Sequence, residues 1–157
     1  MNGRLSVVAR FGGINVFVSN TSVCQFYGIL KLSKELYDRP VPINLDGEFY
    51  ATKAVAEKIV AQGRGGSIIE ISSISALVGS AGQTHCTPTK VGALSLMRSC
   101  ATALGKYGIR DNAILPGTVR TPLNEEGLSD ERKREYMEGR VPLGRLGVPE
   151  DITGPAV

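Results

Sequence analysis

Tryptophan is absent from this chain, and histidine occurs once and cysteine three times in 157 residues. With His85 the only histidine and no G-x-S-x-G elbow, a Ser-His-Asp hydrolase would have to route every proton through one residue, which argues against that class. Cys24, Cys86 and Cys100 are odd in number and show no C-x-x-C spacing, which argues against a disulfide framework and against a zinc site. No metal is expected, and a reducing, cytoplasmic compartment fits the thiols best. Long apolar runs are lacking as well. The segment Met1–Arg10 interrupts its short apolar stretch with arginine and offers no small-residue cleavage site, so neither a signal peptide nor a membrane span is expected.

Charge of one sign is also scarce. The net charge of +3 comes from 18 basic and 15 acidic side chains spread along the chain, without the basic block of a nucleic-acid or anionic-membrane binder. The densest basic run, Arg132-Lys133-Arg134, is diluted by Glu131, Glu135 and Glu138 and reads as a solvated helix face. Internal repeats and low-complexity segments are missing. What remains, 42% apolar and 21% charged residues, is enough for one globular domain with a sizeable core and too little for two.

Ile14–Asn20 alternates short polar with β-branched or aromatic residues after Gly12-Gly13 and reads as a strand. A mostly polar connection with Pro40 and Pro42 follows. From Asp46 to Gln62 apolar residues at Ala51, Ala54, Val55 and Ile59 share one helical face, and Gly63 stops the helix. Gly65-Gly66 turns the chain into a second strand, Ser67–Ser73. Thr87-Pro88 opens a helix that runs to Tyr107 before Gly108. It carries two apolar stripes, Val91/Leu94/Met97/Ala101/Leu104 and Ala93/Leu96/Cys100/Ala103, which predict burial on two sides. One side would face the sheet; the small residues Gly92, Ala93, Ser95 and Ser99 would admit another helix on the other, so homo- or hetero-oligomers through helices 46–62 and 87–107 are expected. Ile109–Leu115 is a third strand, ending in Pro116-Gly117. Beyond it Ser129 is expected to cap one helix, and Pro149-Glu150-Asp151 to open another. Strands alternating with helices give a doubly wound α/β parallel sheet.

A dinucleotide fingerprint must follow a strand and open a helix. Gly12-Gly13 and Gly63–Gly66 both precede strands, so they read as turns. The chemistry-bearing residues gather elsewhere. Asn20, Ser73 and Pro116-Gly117 end the three strands, and ligands of open parallel sheets bind beyond strand carboxyl ends. Lys90 lies one helical turn after Cys86, where a cation shares a face with a titratable group and shifts its pKa.

Ser73, Cys86-x-x-x-Lys90 thirteen residues later, Asn44 in Val41-Pro-Ile-Asn-Leu-Asp-Gly47 and Pro116-Gly-Thr-Val-Arg-Thr121 together resemble the short-chain dehydrogenase/reductase family, in which a tyrosine stands at the position of Cys86. The resemblance covers nearly the whole chain, and Gly79–His85 with Leu115–Asn124 looks most like the family's sugar 1-dehydrogenases. It implies an NAD- or NADP-dependent oxidoreductase acting on a small-molecule alcohol or sugar hydroxyl. Ser73 would hydrogen-bond the reacting oxygen, Lys90 would bind the nicotinamide ribose and depress the acid/base pKa, and Asn44 would hold a relay water. Thr121 would contact the carboxamide beside Pro116 and Gly117. Asn20, in Ser19-Asn-Thr-Ser22, keeps the second asparagine of the family's Asn-Asn-Ala-Gly.

The same resemblance implies a partial Rossmann-like sheet. In the order 3-2-1-4-5-6 the strands present would be 4, 5 and 6, with the N-terminal half and the last strand missing and residues 1–157 forming one incomplete domain. That half would carry the pyrophosphate site and the residue that selects NAD or NADP; without it marginal stability is expected. Cys86 reads as a small, partly buried thiol. Its reference pKa of about 8.5, against about 10 for tyrosine, leaves acidity adequate, but it reaches a ring's length less far. The chain is accordingly expected to be catalytically impaired, with Cys86→Tyr alone insufficient to restore turnover. Asp111 places a carboxylate where the family has an apolar residue or cysteine, costly if buried unpaired. The rival expectation is a non-catalytic protein that pairs with a full-length relative.

Overall fold

The computed structural model of the protein describes residues 3–122 and 124–156. They fall into two compact units, Met1–Leu115 and Pro116–Val157. The first unit holds a parallel sheet in the order β1 (Val16–Ser19), β2 (Gly66–Ile71), β3 (Ile109–Ile114). Val16 is in register with Ser67, and Gly66 with Ile109. Ser67, Ile68, Ile69 and Glu70 of the central β2 are all buried, as expected for a parallel strand covered on both faces. β1 is shorter than Ile14–Asn20 because the Gln62 side chain takes both backbone groups of Ile14: Oε1 accepts from its N–H and Nε2 donates to its carbonyl, each at 2.7 Å.

Helix α1 (Gly3–Phe11), which the sequence pattern does not announce, precedes β1. The 21–46 connection is less irregular than its composition suggests. It contains a 3₁₀ turn at Ile29–Lys31, a short helix α2 (Lys34–Asp38) capped by Ser33, and a π-helical turn at Val41–Asp46. That turn runs into α3 (Gly47–Gln62), which ends at Gly63 with φ +66°. Gly65, at φ +69°, is required twice over: a side chain there would also meet the carbonyl oxygen of Gly108 at 2.5 Å. Helix α4 (Thr87–Leu104) starts with Pro88 in its first turn and continues as a 3₁₀ turn over Gly105–Tyr107, so the expected helix to Tyr107 tightens in its last three residues.

Val55, Ala56 and Ile59 of α3 pack on Ile68 and Ile109 of the sheet, with Ile14, Phe17, Val60 and Leu104 around them. Each fully buried aliphatic side chain contributes roughly 1.5–3 kcal/mol. The two-sided burial expected for α4 is not found within the chain. Thr89, Lys90, Ala93 and Leu94 are its buried residues, while Val91, Ser95, Arg98, Ser99, Thr102 and Ala103 are exposed. Gly92 does admit a neighbour, but a local one: a side chain there would meet Leu45 at 3.0 Å.

In the second unit Val119 bridges Gly147, and helices α5 (Glu125–Leu128), α6 (Glu131–Glu138) and α7 (Glu150–Thr153) follow one another. The cap of α6 is Asp130, not the expected Ser129. The Asp130 carboxylate accepts from the N–H groups of both Arg132 and Lys133, two of the donors a helix start leaves unpaired. Arg145 grips Asp151 through two bonds of 2.7 and 2.9 Å, which hold that carboxyl below its ordinary range. Among the described residues no helix is long and apolar enough to cross a membrane.

Candidate active site

β2 ends at Ile71, and of the next two residues one hydroxyl reaches α4 and the other caps a local turn. Ser72 Oγ, buried, donates to the Lys90 carbonyl at 3.0 Å. Ser73 Oγ accepts from the Ser75 N–H at 3.1 Å as the cap of a 3₁₀ turn, Ile74–Ala76, which leaves the hydroxyl hydrogen available to another acceptor. Lys90, in the first turn of α4, is buried rather than solvated. Its Nζ donates to the Ile71 carbonyl at 3.0 Å, so the ammonium sits at the carboxyl end of β2. Burial lowers its pKa, and the nearby Glu48 charge opposes that shift.

Asn44 is 1% exposed and spends its amide on structure. Its Oδ1 accepts from the Val23 N–H at 2.8 Å, and its Nδ2 donates to the Val23 carbonyl at 2.9 Å and to Thr89 Oγ1 at 3.2 Å. Thr89 in turn donates to the Cys86 carbonyl at 2.7 Å. Asn44 thus ties the loop after β1 to the start of α4. Truncation to alanine strands Val23 and Thr89 inside the protein. Asn44→Ala is expected to cost about 2–3 kcal/mol, read as a lower urea midpoint at unchanged slope.

Cys86, at the N-cap of α4, is 3% exposed and joined to Cys24 as a disulfide across 62 residues. This corrects the expectation drawn from cysteine number and spacing. The loop anchored by Asn44 brings Cys24 over the helix start, a proximity set by tertiary structure that no local spacing encodes. Cys100 is the one free thiol, pushed up to about 11 by burial and by Asp111, Glu70 and Glu48.

The structure therefore brings Asn44, Ser73, Cys86 and Lys90 together in the first unit. Asn20 lies exposed just past β1. Pro116, Gly117 and Thr121 belong to the second unit, where the Thr121 N–H donates to Asn124 Oδ1 at 3.0 Å. Three residues missed in the sequence adjoin the site: Cys24, His85 and Thr89. A buried acidic cluster is linked to Lys90 through the charge of Glu48; of its members Asp111 is marked in the sequence and Glu70 is not. Asp111, in register with Ile68, and Glu70, two residues along β2, share the sheet face that carries Glu48 and Thr52 of α3. Glu70 is fully buried, and its carboxyl is pushed up to about 9 by burial and then by the Glu48 and Asp111 charges. Asp111, buried as anticipated to be costly, rises to about 7 through burial and then Glu48. Burial also raises Glu48, against the pull of Glu70 and Lys90. With every carboxylate ionised, both oxygens of Glu70 and of Asp111 and Oε1 of Glu48 have no donor. A proton on Glu70 supplies one, directed at Glu48.

Residues 5–157 match the family model described as enoyl-(acyl carrier protein) reductase. The chain is 64% identical over 150 residues to L-rhamnose-1-dehydrogenase of Scheffersomyces stipitis, covering 96% of this chain and 58% of that protein. It is 56% identical to the NAD(P)(+) L-rhamnose 1-dehydrogenase of Azotobacter vinelandii, covering 97% and 59%. A short-chain alcohol dehydrogenase structure from Sinorhizobium meliloti superposes with a TM-score of 0.92 at 28% identity, over 99% of this chain and 61% of the other. The chain thus spans a little under three-fifths of the length of these curated relatives. With a matching family model, a three-stranded parallel sheet and a serine-lysine frame at the carboxyl end of its central strand, the chain belongs to the short-chain dehydrogenase/reductase family.

Proposed function

We propose that this chain derives from an NAD(P)-dependent dehydrogenase of a sugar hydroxyl, of the kind its rhamnose-oxidising relatives represent, and that Cys86 impairs the reaction. In this reading β1, β2 and β3 take places 4, 5 and 6 of the doubly wound sheet. The observation that carries it is Lys90, buried one helical turn after position 86 with its ammonium held on the Ile71 carbonyl beside Ser73.

These residues fit the nicotinamide end of a dinucleotide: the Lys90 ammonium keeps two N–H groups beyond the one spent on Ile71, and the Ser73 hydroxyl keeps its hydrogen. The bound cofactor would supply the hydride acceptor. Ser73 would donate to the substrate oxygen, Lys90 would hold the ribose hydroxyls, and Asn44 would fix the loop after β1 against the start of α4. At position 86 the oxidised cysteine carries no proton to exchange, and the reduced one is shorter than a phenol. Losing a positioned general acid/base costs roughly 100- to 10,000-fold.

Calorimetric titration with NAD+ and NADP+ tests this reading. Micromolar binding, weakened about tenfold or more in Lys90→Met, is the expected result. A second reading, a non-catalytic partner of a full-length relative, draws on the exposed apolar residues Val16 and Val18 of β1, 57% and 46% accessible at the sheet edge. Absence of cofactor binding together with a hetero-dimer on size-exclusion chromatography would favour it.

A further inference from the structure

Cys24, Cys86 and His85 form a cluster whose ligand atoms, two sulfurs and a ring nitrogen, lie within 4.8 Å of one another. His85 and Cys86 are each 3% exposed, and Cys24 is half-buried. His85 Nδ1 is buried without any hydrogen-bond partner. An imidazole nitrogen in that condition carries a desolvation cost that a ligand would relieve. The surroundings supply further support: Gln83 Nε2 donates to Cys24 Sγ at 3.2 Å, the kind of outer contact that orients a thiolate ligand.

We infer that, when its two cysteines are reduced, this cluster is a binding site for a soft divalent cation of the zinc type, with Cys24 Sγ, Cys86 Sγ and a ring nitrogen of His85 as ligands and a fourth position open to water. The donor set suits such an ion: two thiolates and an imidazole are a tetrahedral zinc complement, whereas calcium and magnesium take oxygens. The scale suits it too. Metal–sulfur bonds of about 2.3 Å set two thiolates on one tetrahedral ion roughly 3.8 Å apart. The Cα atoms of Cys24 and Cys86 are 5.9 Å apart, so side-chain rotation alone accommodates either the disulfide or the metal.

The two states exclude each other. Opening the disulfide adds two electrons and two protons: a phosphine gives the electron pair and becomes its oxide, and one water gives the two protons to the sulfurs and its oxygen to the phosphorus. Binding the cation then displaces the two thiol protons to solvent. In a reducing compartment the thiol form prevails, and the metal form with it. The inference rests on this cluster alone and stands whether or not the chain binds a nicotinamide cofactor.

The test is a cobalt titration of the intact chain, reduced with a phosphine and desalted without oxygen. One Co2+ per chain is expected, with thiolate-to-cobalt charge-transfer absorption and the intense visible bands of tetrahedral cobalt, all displaced by Zn2+ with release of two protons. Cys24→Ser, Cys86→Ser and His85→Asn should each weaken binding by more than about 100-fold, beyond the roughly 10- to 100-fold loss typical of outer contacts. Cys100→Ser should leave it unchanged. Oxidation of the wild-type chain with diamide, which needs no substitution and leaves the fold intact, should abolish the spectrum. Absence of stoichiometric cobalt binding by the reduced chain, binding that survives diamide or Cys86→Ser, or binding lost in Cys100→Ser would each overturn the inference.

Discussion

Raising the pH from 5 to 9 is expected to destabilise the first unit, and Glu70→Gln to remove most of that loss. Glu70 goes from an ordinary 4.5 to about 9 on folding, and Asp111 from 3.8 to about 7, each chiefly through burial. A group whose pKa rises on folding holds its proton more tightly in the folded state. Its contribution is whole below the unfolded pKa and is lost as pH climbs through the folded one. Asp111 is therefore spent by about pH 7, and Glu70 continues the decline to about pH 9. Glu48 also rises, so it adds to the same trend, while the neighbouring Lys90 falls through burial and by the same linkage works against it. Glutamine at position 70 keeps a donor toward Glu48 and never ionises. Replacing a buried ionic group by a neutral one of similar size often stabilises by about 1–4 kcal/mol. For a chain of this size each kcal/mol moves Tm by roughly 2–4 °C. Melting curves at pH 5 should nearly coincide for the two proteins, and at pH 9 the variant should melt several degrees higher. A wild-type Tm that is flat or rises across this range would sink the argument.

The legible parts of this fold are those whose signals are local. β2 carries the three isoleucines Ile68, Ile69 and Ile71 between Gly66 and Ser72, and α4 has Pro88 inside its start and Gly108 beyond its end. Lys90 and Ser73 were identifiable because their spacing along the chain is itself the signal. What escaped is tertiary. The π turn at Val41–Asp46 is held by bonds from Asn44 to Val23 and Thr89, 21 residues before and 45 after it, which no window of sequence displays. Glu48 and Thr52 are polar, and so they read as the wet side of α3. They face inward because Glu70 and Asp111 already make that patch of the sheet polar. Helix periodicity locates an apolar stripe and is blind to a polar patch that continues it. Among these carboxylates Asp111 alone drew notice, through its departure from the family pattern.

Breaking the Cys24–Cys86 bond is expected to be the largest single loss of stability available at the site. The bond closes a loop across 62 residues, and in the chain-entropy account such a closure is worth about 4 kcal/mol, roughly 8–16 °C in Tm for a chain of this length. The closed segment runs from the connection after β1 through α3 and β2 to the start of α4, and the hydrogen bonds of Asn44 also tie that connection to the start of α4. Oxidised wild-type protein should therefore melt well above the same protein under reductant, while Cys24→Ala should melt alike in both conditions and close to the reduced wild type. Cys100→Ser, which leaves the pair intact, should retain the full difference. Identical melting of the wild type with and without reductant would show that the bond contributes nothing. The same comparison bears on chemistry, because oxidation fixes position 86 without a proton to give or take. Any acid/base service from Cys86, and any cation held by it, is confined to the reduced and less stable form. Stability and chemistry at this position are thus opposed, and the redox state of one sulfur pair sets the balance between them.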